Sequence, residues 1–266
     1  MHQHKALSIG GHLRAWRERR GLSQLHCALE ADISQRHLSF LETGRARPSR
    51  DMVIHLAERL NVPLRERNAA LLASGFAPAY SERELDDPEM EVARAALQMI
   101  LRGHEPYPAL AIDRHWHMIQ ANAAIGPLIS GIANQDLLAP PVNVLRLSLH
   151  PEGLASRIEN LEEWRAHLLH RLDRQISATG DDVLVGLRAE LQGYGDSQTR
   201  TMVDPVAQTS VLVPLRLRTA GGTLSLISTT TVFGTPRDVL LSEMAIEAFF
   251  PADQETAEYL GRPGGG

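Results

Sequence analysis

The stretch ISQRHLSFLETGRARPS, residues 33–49, interleaves Ile33, Leu38, Phe40 and Leu41 with Gln35, Arg36, His37, Arg45 and Arg47. Ser34 is a good N-cap and Gly44 a good stop, so a helix is predicted over 35–42. Leu38 and Leu41 lie three residues apart and share one face, with Ile33 as a third inward anchor. The outward face then shows Gln35, Arg36, Ser39 and Phe40, with His37 at its edge. Gln suits bidentate contact with adenine and Arg with guanine. A helix built this way is shaped to lie against something polar and negative.

Working back toward the N-terminus, QLHCALEA (24–31) reads as a second helix, capped by Ser23 and separated from the first by Asp32–Ile33. Two short helices joined so tightly must cross at a large angle, and the small Ala28 lets them approach. LSIGGHLRAWRERR (7–20) places Leu13, Trp16 and Arg17 on one side of a further helix ended by Gly21. Downstream, SRDMVIHLAERL carries Met52, Val53, Leu56 and Leu60 at helical spacing, and Pro63 opens a fifth helix closed by Gly75. Five short helices in about 70 residues make a compact bundle.

Charge sharpens this reading. The 266-residue chain has formal net charge −5, yet residues 1–67 hold 12 Lys/Arg against 7 Asp/Glu, and the remainder 15 against 25. The asymmetry points to two modules, the first with a polyanionic partner. Composition is that of an ordinary globular protein. The single Cys27 cannot form an internal disulfide, which fits a reducing, cytoplasmic setting. No signal peptide and no apolar run of membrane-spanning length is evident. No membrane partner is expected.

Beyond residue 75, FAPAYSERELDDPEM reads as a connector (76–87), followed by a helix near 88–102. Two strands with a turn at Asp113–Arg114 are expected in YPALAIDRHWHMIQAN. A short helix is expected in 120–130, and two helices in 151–193, the first around Trp164, Leu168 and Leu172. TSVLVPLRLRT, Gly221–Gly222 and TLSLISTTTVFG form a hairpin signal. RDVLLSEMAIEAFFP (237–251) is expected to be a final helix, and the Gly-rich 261–266 a disordered tail.

Residues 8–62 resemble the phage-repressor-type (XRE-family) helix-turn-helix domain, through RERRGLSQ (17–24), Ala28, the stretch 33–49 and LAERLNV (56–62). The resemblance implies base contacts from Gln35, Arg36, Ser39 and Phe40. It implies phosphate contacts from Gln24, Ser34, His37, Arg45 and Arg47, and a structural ion pair between Arg17 and Glu42. Asp32 stands where the family has Gly in the turn, and Asp tolerates left-handed backbone better than most residues. Cys27 stands where a Leu is usual, and a buried thiol acts there as a small hydrophobe.

The rest resembles regulators whose second half is an MmyB-like ligand-binding domain. The resemblance rests on ALAIDRHWHMIQAN (109–122), NVLRLSLHPEGL (143–154) and the long segment 211–253. It implies a PAS-like α+β domain with an antiparallel sheet over 88–260, holding a small apolar effector, for which a fatty-acid-like molecule is one candidate. Trp116, Ile119, Leu128, Ile129, Trp164, Leu168, Leu226 and Phe233 are candidate pocket residues, though each also fits a packed core. Arg146, His117 or Arg165 would anchor an acid. His115 and His117 are expected on one strand face, a spacing seen in metal sites, but no third ligand is evident, and no metal is expected. No catalytic constellation stands out, so an enzyme is not expected. The expected protein is a homodimeric regulator that binds double-stranded DNA under effector control. The alternative is a ligand-free second domain serving dimerisation or protein docking.

Overall fold

A computed structural model describes residues 8–195 and 212–262. The chain forms two compact units. The first runs through Arg83 and takes in Ser177–Thr179 and Thr235–Ser242; the second takes the rest of the described chain.

The first unit opens with five helices: α1 (Ile9–Arg19), α2 (Gln24–Glu30), α3 (Gln35–Glu42), α4 (Arg50–Arg59) and α5 (Leu64–Ala73). Ser8, Ser23, Ser34 and Ser49 cap the first four, each hydroxyl accepting from the backbone N–H three residues on. Those bonds satisfy donors that a helix start leaves open. Gly21, Gly44 and Gly75 follow helix ends at positive φ, where a glycine costs least. Asp32 takes φ 51° in the α2–α3 turn. Leu13, Trp16, Cys27, Ala28, Leu38, Leu41, Val53, Leu56 and Leu71 fill the core. Gly10 is a tight fit: a Cβ there would stand 2.4 Å from the Glu42 carbonyl oxygen, so α1 can reach the end of α3 because that position carries no side chain.

The second unit is a five-stranded antiparallel sheet in the order β2-β1-β5-β4-β3. Its strands are β1 (Ala109–Ile112), β2 (Met118–Ala121), β3 (Leu215–Thr219), β4 (Gly222–Val232) and β5 (Ala245–Pro251). Helix α6 (Glu91–Gly103) contacts β1. Leu110, Leu215, Leu217, Leu224, Leu226 and Phe249 join one apolar cluster with side chains from α7 (Ile125–Ile129), α8 (Val144–Leu149), α9 (Leu161–Thr179) and α10 (Asp182–Gly193). After a short α11 (Val239–Glu243) and β5, the described chain ends with α12 (Gln254–Leu260).

Several expectations are corrected. The final helix expected over 237–251 is α11 followed by the central strand β5. Paired on both edges, β5 carries apolar residues in nearly every position, a run that periodicity cannot distinguish from buried helix. The first hairpin strand begins at Leu215; residues 209–211 lie outside the described chain. Helices α8 and α12 were not anticipated. Arg114 to His117 all lie in the connection between β1 and β2, so the two histidines flank a turn and do not share a strand face. Of the expected disordered tail, 263–266 lie outside the described residues.

Candidate nucleic-acid interface and ligand cavity

Helix α3 exposes Gln35 and Arg36, with His37, Ser39 and Phe40 partly exposed. Phe40 lies near two guanidinium groups, the Cζ atoms of Arg36 and Arg45 standing 5.3 and 5.9 Å from its ring centre. Arg45 and Arg47 are exposed just beyond the helix, where backbone N–H groups of Arg45 and Ala46 both bond to the Phe40 carbonyl. Ser34 Oγ accepts from the His37 N–H at 3.1 Å, so this hydroxyl works as the cap of α3.

Behind that face lies Glu42, its side chain 3% exposed. Arg17 grips it with Nε at 2.6 Å and Nη2 at 3.1 Å, and gives a third bond to the Leu22 carbonyl. The hydrogen bond to Glu42 raises the Arg17 pKa above its ordinary value. Gln24 Nε2 also donates to Glu42, at 2.8 Å. One of its two amide N–H groups is thereby engaged, and the second is left for another acceptor. Burial pushes the Cys27 thiol up, which keeps it protonated and poorly nucleophilic.

Sequence reasoning missed three supports of this unit. Glu66 accepts from Trp16 Nε1 at 2.5 Å and from Arg19 at 2.9 Å. His55 bonds the Ala31 carbonyl at 2.8 Å, at the end of α2. Asn68 bonds Ala79 and Tyr80 on both its amide atoms. A polar residue at helical spacing within an apolar stripe is the only sequence sign of such roles.

In the second unit, the helices and one sheet face line a partly open cavity of about 100 Å³. Trp116, Leu128, Ile129, Trp164, Leu168 and Leu226 line it; Ile119, Phe233 and Arg146 do not. Arg146 is held elsewhere, both Nε and Nη2 bonding Glu190 at 2.8 Å. Neither His117 nor Arg165 lines the cavity. The wall is almost wholly hydrocarbon, with Ser148, Ser228, Arg171 and Glu247 as its polar groups. Ser148 accepts from Trp164 Nε1 at 3.0 Å.

Arg171 and Glu247 are the residues that sequence reasoning passed over. Arg171 falls on the face of α9 that also carries Trp164, Leu168 and Leu172. Glu247 sits inside the apolar run of β5 and is 4% exposed. A charge on an apolar stripe and an acid in an apolar strand were the available signals, and they belong together. Arg171 Nη2 and Nη1 bond Glu247 at 2.5 and 3.1 Å.

The β1–β2 connection supplies a third ligand-type group beside the two histidines, correcting the reading that none existed. Asp113, His115 and His117 bring potential ligand atoms within 4.8 Å of one another. Asp113 Oδ1 accepts from the backbone N–H groups of both His115 and His117, each at 2.8 Å. Asp113 Oδ2 lies 3.0 Å from His117 Nδ1, and His115 Nε2 lies 3.0 Å from Asp181. Burial pushes the Asp181 carboxyl up, but its bonds with His115 and the Val183 N–H outweigh that and hold it below its usual value. These contacts brace a turn that carries Trp116 at φ 67°. Its indole reaches Gln175 at 2.8 Å.

Comparison with known proteins finds two families, one for each part of the sequence. Residues 13–67 match the helix-turn-helix family, and residues 93–262 match the MmyB-like transcription regulator ligand binding domain. No curated protein matches the chain. Among the described residues, no helix is long and apolar enough to cross a membrane. With the second match covering well over half its length, the chain belongs to the MmyB-like transcription regulators, DNA-binding proteins that join a helix-turn-helix head to a ligand-binding domain.

Proposed function

We propose that α3 enters the major groove of operator DNA and that a small apolar effector, held in the cavity of the second unit, modulates that binding. Gln35 and Arg36 read base edges from the N-terminal turn of α3, with Ser39 and Phe40 beside them. Gln24, Ser34, His37, Arg45 and Arg47 grip phosphates on either side. The Arg17–Glu42 pair fixes α1 against α3 and so fixes the angle at which the reading face is offered. One helix covers few base pairs; we therefore propose a homodimer spanning two half-sites about one helical turn apart. A tenfold change in operator affinity needs about 1.4 kcal/mol of coupling to the effector.

The observation that carries the reading is the exposed N-terminal face of α3, bearing Gln35 and Arg36 on a helix capped by Ser34. The sheet order, with helices and one sheet face lining an apolar cavity, supports the PAS-like reading of the second unit. Selection of bound duplexes from a random pool by the full-length protein tests the first part. Arg36→Ala is expected to relax preference at one base position, by about 1–3 kcal/mol. An unchanged sequence preference would remove Arg36 from base reading.

A further inference from the structure

The cavity has one ionic couple in its wall, and that couple points to a class of ligand. Arg171 spends three N–H groups on neighbours: two on Glu247 and one on Thr230 Oγ1 at 2.8 Å. Thr230 in turn donates to Glu247 Oε1 at 2.8 Å, closing a triangle across the paired positions Thr230 and Glu247 of β4 and β5. The Arg171 guanidinium also lies 4.9 Å from the centre of the Trp116 ring. Positive charge is thus matched by negative charge at the same wall, and the couple brings no net charge to the cavity. Each partner keeps some capacity. A guanidinium has five N–H groups, and a carboxylate has more lone pairs than the three donors here use.

We propose that the cavity selects uncharged amphiphiles, a short hydrocarbon chain or ring ending in a group that both donates and accepts hydrogen bonds, such as a primary amide or an alcohol. The inference rests on the reading of this cavity as the effector site. A carboxylate could accept from Arg171 only with the buried Glu247 carboxylate at close range, and an ammonium could donate to Glu247 only with the Arg171 guanidinium beside it. In either case attraction is offset by repulsion, and the cost of desolvating the charge remains. A neutral amide pays neither cost: it accepts from Arg171 and donates to Glu247. Size narrows the class further. Apolar cavities of roughly 150 Å³ hold a benzene ring, and this one measures about 100 Å³. A chain of about three carbons with its head group, smaller than benzene, is therefore the right scale for a probe.

The test titrates the full-length protein at neutral pH with propanamide, 1-propanol, propanoate and propylammonium, following the fluorescence of the cavity tryptophans. Propanamide is expected to bind at least tenfold more tightly than propanoate or propylammonium. Any apolar cavity disfavours charge, so the couple is identified by Glu247→Gln. That variant leaves Arg171 unmatched, and propanoate should then overtake propanamide. Arg171→Gln/Glu247→Gln removes both charges and should restore the preference for propanamide, a result still available if the single variant fails to fold. Tighter binding of propanoate than propanamide by the unmodified protein overturns the proposal. So does a folded Glu247→Gln with the order of ligands unchanged. Failure of all four probes to bind is a separate outcome, which removes the cavity as an effector site and the inference with it.

Discussion

Glu42 gathers donors from two helices onto one buried carboxylate, Arg17 from α1 and Gln24 from α2. The worth of such a site lies less in the attraction itself than in what is left when one member is removed. Glu42→Ala strands a buried guanidinium and an amide, and is expected to cost about 3–5 kcal/mol. Arg17→Met/Glu42→Leu replaces both charges with hydrocarbon and should cost less than Glu42→Ala, by urea denaturation. Equal losses in the two variants would mean that the carboxylate serves packing and not charge balance. The residues of this pair were legible because the family pattern marks both. Asp32 at φ 51° was legible too, since the turn demands left-handed backbone and few side chains accept it. Gly10 was not. Its role depends on where the Glu42 carbonyl lies, 32 residues further along the chain, and no local spacing encodes that. Arg171 and Glu247 were missed for the same reason: each looks anomalous alone, and the partner that makes it sensible is 76 residues away.

Between elements, the clearest electrostatic link joins α8 to α10. Arg146 holds Glu190 with two bonds, and Tyr194 bonds the same carboxylate. The Arg146 hydrogen bonds keep the Glu190 carboxyl below its usual value, more than offsetting burial. Burial and the bond to Glu190 push the Tyr194 phenol up to about 12. A carboxyl depressed in the folded state contributes stability at pH above its unfolded value and loses it as pH falls through the folded value. Glu190→Gln should therefore lower the melting temperature at pH 7, and the difference should close toward pH 3. For a partly exposed bidentate pair the effect is about 0.5–1 kcal/mol, or roughly 1–4 °C for a unit of this size. A difference that persists unchanged in acid would show that the pair acts through shape. Elements with a cap, a period and a stop were readable from sequence, as α1 to α5 show. The β3–β4 hairpin was readable from two strand-like segments about Gly221–Gly222, although the turn itself is Ala220–Gly221 and Gly222 already pairs with Thr219 in the ladder. Strand β5 was not, because its sequence is apolar on both faces, with Phe249 and the exposed Phe250 adjacent, and so shows no alternation, and α8 was too short to establish a period.

At the scale of the whole molecule, a chain of net charge −5 is expected to bind a polyanion. The two facts are compatible because salt dependence counts the phosphates contacted, not the net charge of the protein. Each phosphate neutralised releases condensed counterions, giving a slope of about −0.9 per contact in log affinity against log salt. The slope measured for the full-length protein on its selected duplex thus enumerates cationic contacts, and single substitutions should change it in unit steps. Arg45→Ala is expected to weaken binding to all sequences and to flatten the slope by about one. Gln24→Ala should also weaken binding across sequences. It should leave the slope nearly unchanged, because an amide neutralises no phosphate and its link to Glu42 carries no net charge to the DNA. The contrast separates two kinds of backbone contact that affinity alone would merge. A slope untouched by Arg45→Ala would remove Arg45 from the phosphate surface. A slope changed equally by both variants would instead mean that Gln24 acts by repositioning the arginines of α3 and its exit loop, through the carboxylate it shares with Arg17.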